Sequence, residues 1–148
     1  MWNKSKSVIF SAAVVRVFEL IWVLCLAGIP FLLRWYFSLS GRPGMDGTPL
    51  TIVLYISMLP AGIALGCLDL LLRNIRRGII FAPVNVSYLR VLSWCCFFVG
   101  VIFFFFGFYY VLALIVGAAA AFMGLILRVL KNVFEQATAI KEENDYTI

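Results

Sequence analysis

Four charged side chains have the types and spacing to do chemistry inside an otherwise apolar chain. Arg16 and Glu19 stand three residues apart, and Asp69 and Arg73 four apart. Both spacings bring opposite charges onto one helix face. A carboxylate one turn inside an apolar run is costly unless it is paired or hydrated. Glu19 and Asp69 are therefore held in ion pairs, Glu19 with Arg16 or a cation from the central segment, or else they line a polar path for a proton or solute. The structural clamp is the favoured reading. A second group, Arg73, Arg76, Arg77 and Arg90, punctuates the segment RNIRRGIIFAPVNVSYLR between two apolar runs. With Asn85 in its middle, this segment is a candidate partner-binding surface.

Other chemistry is poorly supplied. Histidine is absent, which removes His-based triads and the usual zinc ligand sets. Cys25, Cys67, Cys95 and Cys96 all lie in apolar runs and read as small buried hydrophobes rather than a metal or redox framework. Ser87, Ser93, Asn85 and Tyr88 fall close together, but no base stands beside a nucleophile to activate it. The expectation is no catalytic residue, no metal, no cofactor and no enzyme. Asn85 reads instead as a hydrogen-bonding residue where the loop enters a helix.

The elements that position these residues follow from composition. The 148 residues are 64% hydrophobic and 13% charged, whereas soluble chains are roughly half apolar and about a quarter charged. This is an all-α polytopic membrane protein, expected to form a single membrane domain over residues 1–148. The net charge of +5 arises from Lys and Arg flanking apolar runs, so the lipid bilayer, not nucleic acid, is the implied partner.

Spans are expected over about residues 17–37, 50–72, 86–106 and 110–130. Pro30 bends the first, and Trp35 and Tyr36 suit its far interface. SLSGRPGMDGT, residues 38–48, reads as an outer loop. The second span carries Pro60 and a Gly62/Gly66 pair, read as a close-packing face within the chain, with a homo-oligomer as the alternative. Pro83 starts the third helix. Residues 91–127 hold no charge and would make a helix of roughly 55 Å, too long for a hydrocarbon core of about 30 Å. They must fold back, and Gly107 to Tyr110 is the expected turn. Of Phe103 to Phe106, at least two must face lipid or a partner. Gly117, Ala118 to Ala121 and Gly124 permit close packing of the fourth span.

Ten cations (Lys4, Lys6, Arg16, Arg73, Arg76, Arg77, Arg90, Arg128, Lys131, Lys141) fall on one side against Arg34 and Arg42 on the other, placing both termini in the cytoplasm. Running into the tail, residues 131–148, from the end of the fourth span, Ile126, Leu130, Val133, Ala137 and Ile140 recur at steps of four and three. That stripe predicts an amphipathic extension of the last helix. Glu142, Glu143 and Asp145 then form an acidic end closing at Ile148. The extension either lies back on the chain's own basic loop or docks a cytoplasmic partner.

The central LLRNIRRGIIFAPVNVSYLR, with Gly78, Phe81, Asn85, Leu89 and Arg90, and the ending VLKNVFEQATAIKEENDYTI, with Asp145, Thr147 and Ile148, resemble the domain-of-unknown-function 2975 family. Tyr146 stands where that family commonly has leucine. The resemblance implies a small four-helix integral membrane protein, mainly from Gram-positive bacteria, with no assigned catalytic residue. Such genes often neighbour very small helix-turn-helix regulators, which implies a membrane component that holds a DNA-binding regulator. Two functions follow. One is a regulatory protein using Arg73, Arg76, Arg77, Asn85, Arg90, Glu142, Glu143, Asp145 and Ile148 as its platform. The other is a small transporter or channel with Glu19 and Asp69 in its path.

Overall fold

The computed structural model describes residues 4–39 and 47–147, the side chains of residues 4–8 excepted. The middle of the expected outer loop, residues 40–46, and Ile148 lie outside the described residues. Four helices account for nearly all of the rest: α1 (Lys4–Leu39), α2 (Thr48–Arg76), α3 (Pro83–Phe106) and α4 (Val111–Tyr146). All four are long and apolar enough to cross a membrane. The fold is an all-α four-helix bundle of a multi-pass membrane protein.

The helices run beyond the expected spans because nothing in the flanking sequence stops them. α1 starts thirteen residues before Val17, and α4 continues as one helix of 36 residues, about 54 Å at 1.5 Å per residue. Arg128 lies about 26 Å along it from Val111, close to one hydrocarbon thickness, so the helix is longer than one crossing needs and its charged remainder is the part suited to lie beyond the slab. Pro83 occupies the first turn of α3, where the missing N–H removes no helical hydrogen bond.

Each helix runs antiparallel to the one before and packs on it: α1 on α2, α2 on α3, α3 on α4. Among the described residues the backbone of α1 approaches neither α3 nor α4. α3 is the most enclosed of the four helices and α1 the least.

The turn between α3 and α4 is tight and falls at 107–110. The Gly107 N–H donates to the carbonyls of Phe103 and Phe104, and the Tyr110 N–H to that of Phe106. A Cβ at Gly107 would collide with the Leu114 side chain and sit 3.0 Å from the Phe104 carbonyl oxygen, so any larger residue would have to displace Leu114 for the two helices to fold back at this distance. Phe106 is buried against Tyr110 while Phe104 and Phe105 face outward. Below the turn the backbones nearly touch. A Cβ on Gly117 would sit 3.0 Å from the Gly100 carbonyl oxygen, and one on Gly100 3.2 Å from that of Gly117. Gly124 lies against Cys96 and Phe97, and the Ser93 hydroxyl, 2% exposed, donates to the Gly124 carbonyl at 2.9 Å.

α1 and α2 are joined differently. Pro30 has no N–H for the Leu26 carbonyl, and the Tyr55 hydroxyl donates to that oxygen at 3.1 Å. The Trp22 Nε1–H donates to the Met58 carbonyl at 3.0 Å, its ring lying over Gly62. The Gly62/Gly66 pair is thus only half used among the described residues, where nothing lies within 4 Å of a Cβ on Gly66.

Candidate functional site

The charged residues gather at the end of the bundle where α1 begins, α2 and α3 are joined and α4 leaves the slab. That end is built around the joint between α2 and α3. Gly78 has φ +79, the left-handed conformation that closes a helix C-terminus. The Gly78 N–H donates to the Ile75 carbonyl and the Ile79 N–H to the Asn74 carbonyl at 3.0 Å, the paired bonds of a Schellman motif. Asn85 locks the segment that follows. Its amide nitrogen donates to the carbonyls of Ile79 and Ile80 at 2.7 and 2.8 Å. Its oxygen accepts from the Asn74 amide at 2.8 Å.

Asn85 is 0% exposed, so no partner can touch its side chain. Its contribution to any platform is the shape of the linker. The expected hydrogen bonding at the start of α3 is there, but with the amide donating to loop carbonyls rather than capping helix N–H groups. Beneath it Leu71, Leu89 and Leu92 form the apolar core, against which Leu127 and Phe134 of α4 pack.

The two ion pairs read from the sequence are one network. Arg73 meets Asp69 at 2.5 Å, Arg16 meets Glu19 at 3.4 Å, and Arg16 also reaches Asp69 at 3.6 Å. The Arg16 contact ties α1 to α2. Asp69 is nearly buried while both arginines are about half exposed. Each carboxylate is matched by a guanidinium in contact with it, which answers the desolvation cost of placing it near the slab. Arg73 is therefore engaged with Asp69, while Arg76 and Arg77, also expected at a partner surface, are exposed and, among the described residues, in no ion pair.

Of the two arrangements open for the α4 extension, the apolar stripe faces outward. Ile126, Leu130, Val133 and Ile140 are exposed, Ile140 by 64%, and Ala137 is half-buried. The face turned to α3 instead runs Gly117, Gly124, Lys131 and Thr138, with Leu127 and Phe134 beside it. The glycines at 117 and 124 decide this. Only their side of α4 can approach α3 at backbone distance, and a continuous helix keeps the same side inward below them. Phe134 meets the Phe81 ring of the linker at 5.8 Å between centroids. The extension thus rests on the base of α3 and on the linker, yet leaves its most regular apolar stripe uncovered.

On the rim, Glu135 accepts from Lys131 at 2.6 Å and lies 3.7 Å from Arg90. The Lys131 hydrogen bond, helped by the charges of Lys131 and Arg90, holds the Glu135 carboxyl below its ordinary value of 4.5. Glu142, Glu143 and Asp145 are exposed, with no ion pair among the described residues. Ile148 lies outside those residues. The inward register of α4 and the Arg16–Asp69 contact were not read from the sequence. The seven-residue recurrence of small or polar residues at 117, 124, 131 and 138 was the available signal for the first.

Fold and charge distribution together define a multi-pass α-helical membrane protein with a built, basic surface at one end. The chain belongs to the family described as protein of unknown function DUF2975, whose model matches residues 45–148. The match covers α2, α3 and α4, together with the Asn85 joint and the α4 extension; α1 precedes it. No curated protein and no solved structure matches the chain.

Proposed function

We propose that this protein is a regulatory component of the cell membrane, with both termini in the cytoplasm, whose basic end holds a small cytoplasmic helix-turn-helix regulator. The observation that carries the reading is the exposed stripe Leu130, Val133 and Ile140 on a helix that projects past the slab. An amphipathic helix offering apolar residues at steps of three and four is the form that docks into a partner's groove. Glu142, Glu143 and Asp145 lie at its end, where carboxylates complement the basic surface with which a DNA-binding protein meets phosphate. Binding there would compete with DNA. The ten-to-two distribution of Lys and Arg supports the cytoplasmic placement, and the neighbourhood of such genes supports the regulator as partner.

The test is crosslinking at the tail followed by affinity purification from membranes. Recovery of one small DNA-binding protein is the expected result. It should be lost when residues 142–148 are deleted and when Val133 and Ile140 are both changed to Glu. Unchanged co-purification after both changes rejects the reading. The transport alternative predicts that Glu19→Gln abolishes flux in liposomes. The regulatory reading is preferred because Glu19 and Asp69 are each met by arginine.

A further inference from the structure

We propose that the seam between α3 and α4 binds one anionic phospholipid from the leaflet at the basic end, with its phosphate at Arg90, Arg128 and Lys131 and an acyl chain in the groove beneath. The inference does not depend on the regulatory reading.

A recess of about 190 Å³ opens between the two helices, lined by Arg90, Ser93, Trp94, Arg128, Lys131 and Asn132. Its three cations face one neighbouring carboxylate, Glu135. Lys131 is held rather than waving in solvent, with 17% of its side chain exposed. Arg128 lies over the Trp94 ring at 5.6 Å and has no carboxylate within ion-pair distance among the described residues. A compact anion is therefore short of nothing it needs there. Tryptophan beside arginine at the edge of the slab is also the usual chemistry of the headgroup level, and basic pockets between membrane helices take lipid phosphates.

A second cavity of about 560 Å³ runs along the same seam further into the slab. Gly100, Gly117, Ala118 and Ala121 form its floor, and Phe97 and Phe104 its walls. The two cavities lie on one face. On α3 the residues step 90, 94, 97, 101, 104, and on α4 they step 132, 128, 121, 118, 114. These are intervals of three, four and seven, which stay on one side of a helix. Measured from Arg128, the trough runs from about 10 Å at Ala121 to about 21 Å at Leu114, so a chain that fills one leaflet of about 15 Å ends in its near half. Charge above and an apolar trough below, in register, match a lipid and not a soluble anion.

The experiment is native mass spectrometry of the full-length protein released from micelles containing phosphatidylglycerol and phosphatidylcholine of equal chain length. Phosphatidylglycerol should be retained with a preference of about tenfold or more, each basic contact contributing about fivefold. Changing Arg90, Arg128 and Lys131 together to Gln should bring the two lipids to parity, whereas Arg128→Lys with Lys131→Arg should keep the preference. Arg76→Gln with Arg77→Gln should leave it within about twofold, because those residues lie off the seam. Ala118→Leu, which fills the trough, should weaken retention while the protein stays monodisperse. Equal retention of the two lipids overturns the proposal, as does equal loss in the Arg76/Arg77 variant. Displacement of the lipid by inorganic phosphate would also overturn it, since the site would then belong to a free anion.

Discussion

The α3–α4 hairpin and the α1–α2 pair are both antiparallel helices in the same slab, but different physics holds them. In the hairpin, glycines at 100 and 117 let backbone meet backbone and Gly124 admits the Cys96 and Phe97 side chains, and a short turn at 107–110 leaves little freedom to separate. Between α1 and α2, long side chains reach across instead: Trp22 to Met58, Tyr55 to Leu26, Arg16 to Asp69. Lipid is as apolar as the side chains it would replace, so helix association in a membrane depends on close packing and on polar bonds. The hairpin uses the first of these and α1 the second. The difference teaches that α3–α4 is the rigid frame of this protein and α1 the element most readily displaced.

Changes to the two regions should therefore have unequal effects. The largest is expected from Gly117→Leu, whose side chain must push aside the Gly100 carbonyl and the Phe104 amide. About 3 kcal/mol or more should be lost through overpacking, read as a fall in thermal unfolding temperature in detergent. Asn85→Leu comes next. It removes three hydrogen bonds and leaves the Asn74 amide and two loop carbonyls unmet, for a loss of about 2 kcal/mol. The same unfolding measurement checks it.

Across the α1–α2 contact, Trp22→Phe and Tyr55→Phe should each lower stability by only about 0.6 kcal/mol. A double electron resonance distance between labels on α1 and α2 should broaden in either variant while the α3–α4 distance stays sharp. Equal broadening in both pairs would remove the distinction between frame and displaceable helix.

The smallest effect is expected at the rim. Because Lys131 holds the Glu135 carboxyl below its ordinary 4.5, the pair stabilises the α4 extension fully above that value. Its contribution is lost as pH falls through the lower, folded-state value. The hydrogen-exchange protection factors of residues 131–139, corrected for the intrinsic pH dependence of exchange, should be flat from neutrality to mildly acidic solution and fall only below the ordinary glutamate range. Lys131→Gln should remove that acid step.

Much of the architecture can be read along the chain because it depends on local composition. Pro83 at the start of α3, the reversal at Gly107 to Tyr110 and the one-sided gathering of Lys and Arg are each properties of a few neighbouring residues. The face of α4 is not. The periodic stripe, Ile126 to Ile140, predicted an amphipathic extension but left open whether it lies back on the chain or faces outward, because in lipid apolar periodicity does not say which side meets protein. Small residues do, and Gly117 and Gly124 turned that stripe outward. The Gly62/Gly66 motif packs within the chain at its first glycine, beneath Trp22, while nothing among the described residues lies within 4 Å of a Cβ on Gly66.

Sequence alone determined that the chain is four membrane helices with charge massed at one end, since hydrophobic length and the placement of Lys and Arg are set by each segment's own transfer energy. Only the tertiary structure decided that Arg16 shares Asp69 with Arg73, that Asn85 is spent on its linker, and that the α3–α4 seam couples a cationic recess to an apolar trough. Those features require residues distant in the chain to meet, and which of them meet is settled by where the backbones can approach most closely.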